Sequence, residues 1–119
     1  MSTTYLEIED KYQPTPEGGN IEVTVNLGDG QPGAYLIFLD QDLKGANVPA
    51  KIGTSSKVLG KRTIVSATIT DVLDETNWTS VTVNVKQGTS VKTYGPYSKQ
   101  VPKNLDTVCY IIKISNTND

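Results

Sequence analysis

Histidine is missing altogether from the 119 residues. Without imidazole the chain lacks the commonest general base near neutral pH, the usual physiological-pH switch and the commonest metal ligand. Cysteine occurs once, at Cys109, so no intrachain disulfide can form, which fits a reducing compartment. Its thiol has no imidazole to activate it and lies within a strand-like run, so it reads as structural. Arginine also occurs once, at Arg62 beside ten lysines. Phosphate and base edges are read by the planar arginine fork, so the composition predicts no nucleic-acid partner. No apolar run approaches the ~20 residues of a bilayer-spanning helix, and membrane insertion is not expected. The first residues carry neither a basic nor an apolar leader segment, which predicts cytoplasmic synthesis without a signal peptide. Eight aromatic residues leave few to line the cleft of a glycosidase. The expectation is therefore no enzymatic activity and no cofactor.

The chain is instead rich in β-branched residues: thirty-six are Thr, Val or Ile, against twelve Leu and Ala together. Such side chains suit a pleated, half-buried surface, whereas Leu and Ala fill helices. Residues 20–27 alternate, with Ile21, Val23, Val25 and Leu27 on one face and Glu22, Thr24 and Asn26 on the other. Residues 65–70 and 79–86 repeat this pattern, with Val81, Val83 and Val85 inward. In the final run, 107–115, Val108, Tyr110, Ile112 and Ile114 share a face and Cys109 and Ile111 lie opposite. Ala34 to Leu39 is apolar throughout, which predicts a strand covered on both faces. Residues 40–49 read as a long polar connection. Gly60-Lys61 interrupts the stretch from 57 to 70, as a hairpin turn or a bulge.

Seven or eight such strands, with turn signals near every tenth residue, predict an all-β, antiparallel two-sheet sandwich of immunoglobulin-like type. A jelly roll is the alternative. One domain covers 1–119, with frayed ends at 1–3 and 116–119. Charge is uneven along the chain: residues 1–42 carry −7 and residues 43–119 carry +5. Interleaved strands would mix these charges; a dipolar module would associate head-to-tail in a salt-sensitive way.

Two groups of residues invite a functional reading. Tyr94 and Tyr97 flank Gly95-Pro96, a break that would present an aromatic ring for docking, with Lys99 and Trp78 nearby. The competing reading has these rings closing the sandwich end. Asp40 and Asp42 begin like a calcium loop, but Lys44 and Lys51 occupy positions where ligands belong. Asp71, Asp74 and Glu75 form a second acidic loop that could lie at the same pole; ordinary turn acids are the plainer reading. The expected function is a non-enzymatic module that binds protein or itself. It could be a structural or accessory part of a larger particle such as a virion or injection apparatus. The alternative is a carbohydrate-binding module using Tyr94, Tyr97 or Trp78, with calcium beside them.

Overall fold

A computed structural model describes residues 2–16, 18–73 and 76–118. The strands are β1 (Thr3–Tyr12), β2 (Ile21–Gly28), β3 (Gly33–Leu39), β4 (Asp42–Ala46), β5 (Ala50–Gly53), β6 (Arg62–Thr70), β7 (Trp78–Gln87), β8 (Ser90–Gln100) and β9 (Thr107–Asn116). A single helical turn, α1 (Ser55–Val58), precedes β6. Five strands form the larger sheet in the order β1-β9-β6-β3-β4, and four form the smaller in the order β5-β2-β7-β8. Their inner faces meet in one core. Val23, Val81 and Val83 from the smaller sheet and Ile37, Val65, Ile112 and Tyr110 from the larger are all completely buried. The Tyr110 hydroxyl crosses between the sheets, donating to the Thr79 carbonyl at 3.1 Å and lying 2.7 Å from Thr79 Oγ1.

Four features depart from the sequence expectation. The described strands number nine rather than seven or eight. The added strand, β4, lies inside the expected polar connection. Asp40 at φ 51° lets a two-residue loop reverse the chain there, and Asn47 at φ 60° ends the strand while its side chain accepts from the Tyr35 amide. Aspartate and asparagine tolerate this left-handed region, so polar residues here build a hairpin. The sandwich is also not wholly antiparallel, because β1 runs parallel to β9 over ten registered pairs. Gly60 is neither hairpin turn nor bulge: at φ 82° it follows α1, whose Val58 is completely buried.

Described residues near both termini make hydrogen bonds to the rest of the fold. Ser2 donates its amide to Asp106 Oδ1, and Thr107 donates to the Ser2 carbonyl. At the far end Asn116 is buried, its Nδ2 donating to the Lys61 carbonyl and to Thr63 Oγ1, and the Thr117 amide donates to the Tyr12 carbonyl.

Candidate functional site

The two sheets differ sharply on their outer faces. The smaller sheet turns Glu22, Thr24, Asn26, Thr82, Asn84 and Thr93 outward, a polar centre with exposed Trp78 and Val91 toward its two ends. The larger sheet carries apolar rows. Register places Ile111, Ser66, Leu36 and Ala46 side by side across β9, β6, β3 and β4. The next row holds Lys113, Ile64, Phe38 and Leu43, and on the other side lie Tyr5, Cys109, Thr68 and Ala34. Leu36 is 39% exposed, Leu43 57% and Tyr5 71%; Phe38, Ile64 and Ile111 are half-buried. Among the described residues no second layer covers β3 from outside, contrary to the expectation for its unbroken apolar run. A contiguous exposed patch of this kind marks an interaction surface more often than a solvated face.

Charge gathers at one margin of the face. Glu7 on β1 forms an ion pair with Lys113 on β9. That ammonium, with a smaller contribution from Arg62, holds the Glu7 carboxyl below the usual carboxylate range. The half-buried Cys109 thiol sits among the apolar rows, with Thr68 Oγ1 3.8 Å from its sulfur.

The residues expected to dock a partner are separated. Tyr94 is 2% exposed, and its hydroxyl donates to the Lys11 carbonyl at 2.6 Å. Burial pushes its phenol well above the ordinary range, with Asp10 adding to the effect. Tyr97 stands opposite Val81 on the same inward side, half-buried, its phenol raised by burial and by Asp10. These two rings therefore lie along the seam between the β8 edge and β1. A β-bulge between Val81 and Val83 and a cis Gly95–Pro96 bond accompany the seam. Lys99 is exposed opposite Thr79, and Thr79 Oγ1 donates to its carbonyl. Trp78, 45% exposed, pairs with Gln100 on the outward phase, so it shares no platform with the tyrosines.

The calcium candidates are likewise divided. Asp40 accepts from the Arg62 amide at the start of β6, whereas Asp71 follows the end of the same strand. Nine residues at ~3.3 Å each separate them by roughly 30 Å, so the two loops occupy opposite poles. Asp42 is exposed at the head of β4. Asp71 is completely buried, its Oδ1 accepting from Gln31 Nε2 at 2.8 Å. Asp74 and Glu75 lie outside the described residues. Among the described residues no three acidic or thiol side chains are grouped to hold a metal ion, and no helix is long and apolar enough to cross a membrane.

Two buried glutamines organise the poles, and neither is conspicuous in the sequence. Gln31 Oε1 accepts from the amides of Val72 and Leu73 while its Nε2 donates to Asp71. Gln87 Oε1 accepts from the Thr15 amide and the Tyr12 hydroxyl, and its Nε2 donates to the Gly19 carbonyl and to Ser55 Oγ. The apolar outer face did leave a signal: both faces of 34–39 are apolar, and Cys109 and Ile111 fall on the second face of 107–115. Neither a protein-family model, nor a curated protein, nor a solved structure matches the chain.

Proposed function

We propose that the protein is a non-enzymatic docking module, an immunoglobulin-like sandwich that joins other protein through the outer face of its larger sheet. The observation that carries this reading is the difference between the centres of the two outer faces: polar on the smaller sheet, whose exposed Trp78 and Val91 lie toward its ends, and apolar on the larger. Exposed Leu36 and Leu43 beside Phe38, Ile64 and Ile111 give the apolar centre of an interface, and Glu7, Lys113 and Arg62 give part of its polar margin. The immunoglobulin-like assignment is supported by two packed sheets whose connected strands repeatedly cross from one to the other. Its departures include the β7–β8 hairpin that separates the sheet neighbours β6 and β9 along the chain, and the parallel pairing of β1 with β9. The absence of histidine and the unactivated Cys109 thiol support a role without catalysis.

Photo-crosslinking in the producing cell tests the reading. A photoreactive amino acid at position 66, in the middle of the apolar rows, should form protein adducts; one at position 82 on the smaller sheet should not. Adducts at neither position, or at both equally, would remove the docking face. A turnover found in a hydrolase and transferase screen and lost on Cys109→Ser would overturn the non-enzymatic reading.

A further inference from the structure

We infer that the partner on this face is a second copy of the chain, the two larger sheets packing outer face to outer face about a twofold axis. The inference rests on the docking reading above and supplies its occupant.

Size is the first argument. Five strands at ~4.8 Å spacing and nine residues of β6 at ~3.3 Å rise give a footprint of roughly 20 by 30 Å. That is about 600 Å² before side-chain relief is counted, on the order of the ~800 Å² per partner in a standard interface.

Relief is the second argument. Across the strands the central row reads Ile111, Ser66, Leu36, Ala46, large and small by turns. A twofold contact requires a surface to be its own complement. Ridges of Ile111 and Leu36 from one copy match the hollows over Ser66 and Ala46 of the other, as facing sheets interdigitate in a sandwich core.

Charge is the third. On the margin Glu7 and Glu9 are interspersed with Lys11, Lys113 and Arg62, two acids against three bases, so no block of one sign borders the apolar rows. A copy of the same face meets no like-charged patch, and an acidic or basic partner finds nothing to steer it.

Sedimentation of the purified protein is the decisive experiment. The wild type should run at twice the chain mass at ~100 µM, and Ser66→Lys should weaken association at least tenfold. Thr82→Lys, on the polar outer face of the smaller sheet, should leave the dimer intact. Circular dichroism melts establish that each variant is folded, and Leu36→Lys serves if Ser66→Lys is not. Cys109 gives an independent readout, since its thiol should react with a maleimide about tenfold more slowly in the dimer than in folded Ser66→Lys. A monomeric wild type, a dimer that survives both face variants, or equal thiol rates would each overturn the inference. A monomer that still yields adducts with a different protein at position 66 sinks the homodimer and leaves the docking reading standing. A monomer without adducts removes both.

Discussion

Gln87 ties two separate segments to the end of β7: the Thr15 amide and Gly19 carbonyl of the β1–β2 connection and the Ser55 hydroxyl of α1 all bond its amide group. Removing a buried hydrogen-bonding group costs most through the partners left unpaired. Gln87→Ala should therefore destabilise the fold by about 3 kcal/mol, read as a lower denaturant midpoint with unchanged slope. A loss within the ordinary surface range would mean that the loops find other partners. Nothing local in Gln87-Gly88-Thr89 announces this role. A glutamine at a turn is usually solvated, and its burial depends on segments some seventy positions away. The tyrosines give a pH dependence with a definite sign. Tyr12, Tyr94, Tyr97 and Tyr110 all have raised phenol pKa values, caused first by burial. A raised value means the folded state favours the neutral ring. The stabilisation is complete below the free phenol range near pH 10 and drains as pH climbs above it. Thermal melts at about pH 8 and about pH 11 should differ strongly; matching curves would mean the rings ionise freely within the fold.

Strand by strand, alternation was readable wherever one face is core and the other polar. β2 and β7 follow the expected phase residue for residue, with Val23 and Val83 completely buried and Thr24 and Thr82 half-buried. Val23→Asp or Val83→Asp should unfold the domain, while Thr24→Asp should change the melting temperature by only a few degrees. Equal losses from the Val and Thr changes would show the phase to be wrong. Pairing was less readable, because a strand's partner is set by the whole topology. The parallel match of β1 to β9 joins residues more than a hundred positions apart, and no local pattern encodes it. The β3–β4 hairpin was hidden because Asp40 and Asn47 look like ordinary loop residues until their positive φ angles are seen. The tyrosine segment was ambiguous for a related reason: a Gly-Pro break suggests a projecting loop, whereas it lies within an edge strand with Tyr94 buried and Tyr97 half-buried.

Taken as a whole, the sandwich mixes the charges that the linear sequence segregates. Glu22 stands opposite both Lys51 and Lys86, and Glu7 pairs with Lys113. These neighbours bring acids of the first part of the chain beside bases of the rest, which opposes the head-to-tail, salt-sensitive association that the linear charge pattern would give. A dimer formed through the apolar rows should persist from 0.1 M to 1 M salt, where exposed charges are screened within ~3 Å.

The parallel pairing of β1 with β9 also decides how the molecule would bear a load. Ser2 lies beside Asp106 at the head of both strands, and Thr117 lies beside Tyr12 at their feet. A chain entering at residue 2 and leaving at residue 118 is thus gripped at opposite ends of one hydrogen-bonded ladder. Tension along that path shears all ten registered pairs together instead of peeling them singly. Forced unfolding is governed by the unfolding barrier, and simultaneous rupture raises that barrier. Handles at residues 2 and 118 should give a much higher rupture force in an optical trap than handles at residues 2 and 106, which open the same ladder from one end like a zip. Similar forces in the two geometries would place the mechanical resistance elsewhere. With the stated contrast, the mechanical resistance of the fold depends on the direction of pull.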